Sequence, residues 1–202
     1  MRDLDISRYF LLKLMSSNIV KKFKNKQTLS RLKSRDKEVF TEVYDQNVTD
    51  IHRFVYFKIG SREEANDLTS IIFLKTWNHI QNNTLEDAKT LRALLYKVAR
   101  NAIIDYYRER GSHKPVSLDD EQNPVDIAAD MSQSDKIDDD QDLKRIISKL
   151  PFLKEEYREM IIMRFINDLS LEEISDITQK SRGNVRVLLH RALTALKELM
   201  ES

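Results

Sequence analysis

The sequence contains no cysteine, and its 202 residues include only three glycines and three prolines. Without a thiol, disulfide bridges, cysteine nucleophiles and thiolate metal sites are excluded. The four histidines, His52, His79, His113 and His190, are scattered and show no HExxH or comparable ligand spacing. No metal and no other cofactor is therefore expected. So little glycine and proline leaves few breaks and suits a soluble, almost wholly helical protein. No apolar run approaches the roughly twenty residues that a bilayer span needs. The most apolar early stretch, Tyr9–Met15, is short and interrupted by Lys13. No small-residue cleavage site follows it convincingly, which argues against a signal peptide. An integral membrane segment is not expected, and the reading is a cytoplasmic protein. There is also no convergent set of acids, bases or nucleophiles, so neither an enzyme nor a small-molecule substrate is expected.

What the sequence does have is charge, arranged in blocks. The formal net charge is +1 although 33% of residues are charged. Residues 1–37 carry eleven basic and three acidic side chains, a net +8, whereas residues 111–142 carry two and ten, a net −8. Such blocks mark flexible or interacting segments more often than core. Residues 1–35 read as a basic extension, either loosely ordered or a helix docking on a partner. Residues 111–141, with Pro115 and Pro124 and no helical stripe, read as an acidic linker.

Between these blocks the apolar spacing is helical. Val39, Phe40, Val43 and Tyr44 mark one helix, and Ile51, Phe54, Val55 and Ile59 the next, with Gly60 placed as a left-handed stop. Ser61 and Glu64 predict a capping box that opens a third helix through Ala65, Leu68, Ile72, Phe73 and Trp77. After a polar loop at 81–87, a fourth helix runs from about Ala88 to Arg110 with Leu91, Leu94, Leu95, Val98, Ala99, Ala102 and Ile103 inward. Four such helices over 36–110 make a small bundle. The other side of the last one interleaves Arg92, Lys97, Arg100 and Arg108 with Tyr106 and Tyr107. Cations for phosphates beside ring faces for unstacked bases suit single-stranded nucleic acid. Half-buried packing of Tyr96, Tyr106 and Tyr107 is the equally weighted alternative.

Helices resume at residue 142, with Leu143, Ile146, Ile147 and Leu150 before Pro151, and then Lys154–Phe165. Ser170 and Glu173 form a second capping box, Leu171, Ile174 and Ile177 give one apolar face, and Gln179-Lys180 break the rhythm. Ser181 can cap a following helix whose Val185, Leu188, Leu189, Ala192, Leu196 and Leu199 form a buried stripe. Arg182, Asn184, Arg186, His190 and Arg191 lie largely off that stripe, near the helix start. Cations there oppose the helix dipole at a cost of about 0.3–1 kcal/mol each. A phosphate or base edge in the major groove would explain them. A surface helix of an ordinary bundle is the plainer alternative.

Three segments in this order resemble the bacterial sigma-70 family, in its small extracytoplasmic-function type. They are EEANDLTSIIFLKTW at 63–77, LRALLYKVARNAIIDYYRER at 91–110, and the stretch from KLPFLKEEY to LLHRAL at 149–193. The resemblance implies two all-α bundles, regions 2 and 4, joined by the acidic linker. It implies a protein that binds core RNA polymerase and directs promoter recognition and transcription initiation. Asp67, Leu68, Thr69, Ser70 and Phe73 match the polymerase-docking part of region 2. Asn82 and Asn83 lie in the loop that catches a flipped base. Arg92, Lys97, Arg100, Asn101, Asp105, Tyr106 and Arg108 fall on the helix that engages the −10 element. Ser181, Arg182, Asn184, Arg186, His190 and Arg191 match the −35 recognition helix. Core polymerase and promoter DNA are the implied partners, with an anti-sigma factor as a further one. Departures from the family pattern are Ser70-Ile71 for Gln-Glu, Leu94 for Trp, Thr178-Gln179-Lys180 for an apolar–Gly–apolar turn, and Val187-Leu188 for polar or basic residues. The alternative reading is a stand-alone helix-turn-helix regulator, which has no reason to carry the 63–77 and 91–110 pair.

Overall fold

Asp36 opens the first helix, α1 (Lys37–Ile59), by accepting hydrogen bonds from the Glu38 and Val39 amides at 3.0 and 3.4 Å. Gly60 closes it in the left-handed region at φ 77°, its N–H donating to the Tyr56 carbonyl at 2.8 Å. The two short helices expected here are one. The polar run Asp45–Asp50 contains neither glycine nor proline, and Asn47 Nδ2 donates to the Val43 carbonyl at 2.7 Å inside the helix. With nothing to stop propagation, the backbone continues through a locally polar turn. This computed structural model describes residues 31, 32, 34, 36–82, 88–110 and 141–201, excepting the side chains of 88–90 and 141–143. The basic extension up to residue 30, the acidic stretch 111–140 and Asn83 lie outside the described residues.

Helix α2 (Arg62–Asn82) begins with half of its expected capping box: Ser61 Oγ accepts from the Glu64 amide at 3.4 Å. The Glu64 carboxylate does not turn back; it accepts from Tyr106 of α3 (Ala88–Glu109) and from Arg110 just after it. Ala65, Leu68, Thr69, Ile72, Phe73, Thr76 and Ile80 form the buried stripe of α2. The Thr69 and Thr76 hydroxyls donate to carbonyls one turn back, at 2.6 and 2.8 Å, so burying them leaves no donor unpaired. Aromatic contacts seal the bundle. Phe40 meets Trp77 at 4.5 Å and Tyr44 meets Phe73 at 4.6 Å between α1 and α2, while Phe54 meets Tyr96 at 5.2 Å between α1 and α3. Among the described residues, 36–110 thus form three long helices rather than four.

The C-terminal half starts with α4 (Gln141–Lys149) and a 3₁₀ turn, Leu150–Phe152, that accommodates Pro151. Next come α5 (Glu155–Ile161), a π turn (Ile162–Ile166), α6 (Leu171–Thr178) and α7 (Arg182–Glu201). Ile146, Leu150, Met160, Ile161, Ile162, Ile174, Val185, Ala192 and Leu196 are its fully buried centre. No strand occurs among the described residues. The fold class is all-α, as the spacing predicts. The two halves touch: α6 packs on α3, and the π turn meets α1.

Candidate nucleic-acid interface

The α6–α7 pair is a helix-turn-helix whose local chemistry follows the expected grammar. Ser170 Oγ accepts from the Glu173 amide at 3.2 Å and Glu173 Oε2 accepts from the Ser170 amide at 2.7 Å, completing the box. Gln179 ends α6 in the left-handed region, φ 58°, where glycine is the usual residue. Its amide donates to the Ser175 carbonyl, its side chain to the Asp176 carbonyl at 2.7 Å, and Ser175 Oγ to the Lys180 carbonyl at 2.6 Å. With the Lys180 amide also donating to the Ser175 carbonyl at 3.3 Å, four bonds hold the turn without glycine. Ser181 Oγ accepts from the Asn184 amide at 3.2 Å, so this hydroxyl caps α7.

Helix α7 buries Val185, Leu189, Ala192, Leu196 and Met200. Leu188 and Leu199, expected inside, are half-buried, and Met200 extends the stripe. Asn184, Arg186, His190 and Arg191 are exposed. Among the described residues, the side chains of Arg186, His190 and Arg191 have no hydrogen bond or ion pair. Arg182 differs, because its guanidinium pairs with Glu172 of α6 at 2.7 Å. An apolar back, a capped end and unneutralised cations on the outside can meet a polyanion without rearrangement.

On α3 the expected −10 residues divide. Arg92 donates to the Asn167 carbonyl at 2.5 Å and lies 3.4 Å from Asp50 and 3.8 Å from Glu173. Arg100 forks onto Glu159 of α5 at 2.9 and 3.3 Å and reaches the Ile177 carbonyl at 3.5 Å. Both guanidiniums therefore bridge to the C-terminal half. Tyr106 is half-buried, donates to Glu64 and lies under Arg110, whose guanidinium is 4.6 Å from the ring centre. Burial, with the Glu64 carboxylate, pushes its phenol above the usual range. Tyr107 donates to the Lys58 carbonyl at 2.5 Å, and Tyr96 is 1% exposed. All three tyrosines pack in the bundle, Tyr96 fully buried and Tyr106 and Tyr107 half-buried. Lys97 is half-buried; Asn101 and Arg108 are exposed, and Asp105 pairs with Lys75 and Arg108. Asn82 is exposed and donates to the Asn78 carbonyl at 2.9 Å.

The residues matching the polymerase-docking part also divide. Leu68, Thr69 and Phe73 are buried in the bundle, while Asp67 and Ser70 are exposed. Leu68, Thr69 and Phe73 can position a surface but contribute little of it. The same face carries Ile71, 43% exposed, and Leu74, 60% exposed, with Ile104 exposed on neighbouring α3. Ile71 and Leu74, one turn apart with Asp67 and Ser70, leave apolar side chains in water on this side of α2. Ile71 belongs to the Ser70-Ile71 departure from the family pattern, and spacing alone does not separate an outward isoleucine from core.

Two residues at the junction of the halves, Lys58 and Arg158, are buried charges that are not among the site residues expected from sequence. Lys58, 5% exposed, pairs with Glu155 at 2.9 Å and Glu159 at 3.4 Å. Burial disfavours the charge of Glu159, but Lys58 and Arg100 outweigh it and hold its carboxyl below the ordinary value. Arg158, 4% exposed, has an Nε without a hydrogen bond, and burial lowers its pKa against the pull of Glu155. Among the described residues no three His, Asp or Glu side chains converge to hold a metal ion, and no helix is long and apolar enough to cross a membrane.

Comparison with known proteins places this geometry. The family model "Sigma-70 region 2" matches residues 43–113 and "Sigma-70, region 4" matches 141–196. The chain is 29% identical over 164 residues to the ECF RNA polymerase sigma factor SigM of Bacillus subtilis, covering 78% of this chain and 93% of that one. Against BldN of Streptomyces coelicolor it is 23% identical over 174 residues, covering 86% of this chain and only 65% of the relative. Its fold is similar to CnrH, solved in complex with the cytosolic domain of CnrY (TM-score 0.64, 19% identity, 88% and 97% covered). It is also similar to RpoE of Bartonella quintana, solved with the anti-sigma factor NepR (TM-score 0.59, 20% identity, 80% and 96% covered).

Proposed function

This chain belongs to the sigma-70 family of RNA polymerase sigma factors, in its extracytoplasmic-function type, and on that premise we propose how its parts divide the work. Residues 36–110 dock on core polymerase through the exposed α2 face and engage the −10 element through α3. Residues 142–202 read the −35 element through α7, and residues 111–141 connect the two. The protein supplies sequence choice and strand capture; it performs no chemistry of its own and works in the cytoplasm beside polymerase and promoter. An anti-sigma factor, the kind of partner that RpoE of Bartonella quintana is solved with, is a further partner under this reading.

The observation that carries the reading is the state of α7. Arg186 and Arg191 are exposed and without an ion pair on the side of the helix away from its buried stripe, which a DNA partner explains. The same reading assigns a consequence to α3. Arg92 and Arg100 cannot hold Asn167 and Glu159 while also holding phosphates, so the halves part when the chain engages polymerase and the −10 strand. Fluorescence anisotropy of the labelled chain titrated with purified core polymerase tests the reading. Saturable binding, weakened by Ile71→Asp and unaffected by Arg186→Ala, is expected. Absence of binding to core would return the lead to the stand-alone regulator.

A further inference from the structure

Helix geometry orders the exposed residues of α7 by distance from its buried stripe. At about 100° per residue, Val187 stands roughly opposite the midline of Val185, Leu189, Ala192, Leu196 and Met200. It is 49% exposed. Asn184, His190 and Arg191 flank it, and Gly183 lies one turn before it on the same outer face. Arg186 is rotated only about 80° from the stripe, and Arg182 is nearer still and tied to Glu172. The side chain aimed most directly away from the protein is therefore apolar, and the arginines stand at its shoulders.

Gly183 adds a second observation. It is exposed near the start of α7, where glycine weakens a helix relative to alanine. A Cβ built there would meet only Ser181 Oγ, at 3.8 Å, an ordinary contact. Nothing inside the fold requires glycine at this position. A requirement would come from outside, from a surface that approaches the helix backbone closely.

We propose that Val187 is a specificity-determining residue of α7, packing its methyl groups on the C5-methyl of a thymine in the major groove, with Gly183 admitting the sugar–phosphate backbone beside it. The proposal rests on the reading of α7 as a DNA-reading helix and names what it reads. Valine has no donor or acceptor, so the thymine methyl is the one base-edge group in the major groove that it can select. Arg186, at the shoulder, contacts phosphate and contributes affinity rather than sequence.

The test needs no polymerase, because α7 is exposed while the halves are together. The full chain selects duplexes from a randomised library at low salt, and single thymines in the enriched site are replaced by deoxyuridine. At one position, loss of the methyl is expected to weaken binding about fourfold, the worth of one buried methyl group. Val187→Ser should erase that thymine-over-uracil ratio while leaving the helical content by circular dichroism unchanged. Arg186→Ala should weaken all duplexes and lower the salt slope by about one, with the ratio kept. Gly183→Ala should raise the melting temperature and weaken duplex binding. The proposal is overturned if no thymine-to-uracil exchange matters, if Val187→Ser keeps the ratio, or if the chain enriches no duplex. Failure of the sigma-factor reading has a different signature, namely duplex selection without any response to core polymerase.

Discussion

Replacing Glu159 by glutamine takes one charge out of the junction between the halves at nearly constant size. Its carboxylate is 9% exposed and holds Arg100 at 2.9 and 3.3 Å and Lys58 at 3.4 Å. Breaking a buried pair costs about 3–5 kcal/mol when the remaining charge is left alone. Here the loss is smaller, because Lys58 keeps Glu155 at 2.9 Å and Arg100 is 29% exposed. About 2 kcal/mol is a reasonable figure, which lowers the ratio of joined to parted halves roughly thirtyfold at a factor of ten per 1.4 kcal/mol. Arg158 adds in the same direction: without Glu159, Lys58, Arg100 and Arg158 would face Glu155 as the remaining anion of this cluster. The absence of cysteine makes the assay direct. Spin labels at Glu42→Cys and Glu198→Cys, both exposed, report the separation of α1 from α7 by pulsed dipolar spectroscopy. The Glu159→Gln chain should show a larger fraction of broad, parted distances than the wild-type chain. Identical distributions would refute the reasoning.

The same labels give a pH dependence. Joining the halves holds the Glu159 carboxyl below its ordinary value of 4.5, so its contribution is complete above that pH and lost as pH falls through the lower value; the joined population should be flat from neutral pH down to about 5 and shrink below about 4.5. Arg158→Met removes a buried cation whose Nε is unbonded, so urea unfolding should show stability unchanged or raised by about 1–2 kcal/mol, and a clear loss would reveal a partner that the geometry does not. Gln179→Gly relieves a left-handed φ of 58° but gives up one side-chain bond, for a net gain of about 0.5 kcal/mol and a rise of roughly 1–2 °C in melting temperature. Ser170→Ala removes the acceptor for the Glu173 amide and should cost about 1 kcal/mol by the same measurement.

Local chemistry explains what could be read from residues alone. Ser170 with Glu173, Ser181 and Gly60 are turn and cap signals that act over three or four residues, and each does what its spacing predicts. No break forms between Tyr44 and Ile51, because polar residues alone do not stop a helix; Asp45-Gln46-Asn47 face water or bond locally without disturbing it. The Ser61–Glu64 box is only half formed because a tertiary partner on α3 outcompeted the local one for the Glu64 carboxylate. The junction was not legible. Arg92 and Asn167 are 75 residues apart and Arg100 and Glu159 are 59 apart, and no periodicity within a helix encodes which cation meets which acceptor. Lys58 offered a faint hint, a lysine inside the buried run Phe54–Ile59. Outward direction on a helix was partly legible: Asn101, Arg186, His190 and Arg191 stand exposed as their spacing indicates, whereas Leu68, Thr69 and Phe73 sit in the core.

Abortive initiation shows whether this chain acts as a sigma factor. Purified core polymerase is incubated with and without this chain on a pool of genomic promoter fragments, and short RNA products are sequenced. The account predicts products that depend on the chain, start a fixed distance from shared −10 and −35 motifs, and are lost when α7 carries Arg186→Ala together with Arg191→Ala. Core polymerase that initiates equally with and without the chain would contradict it.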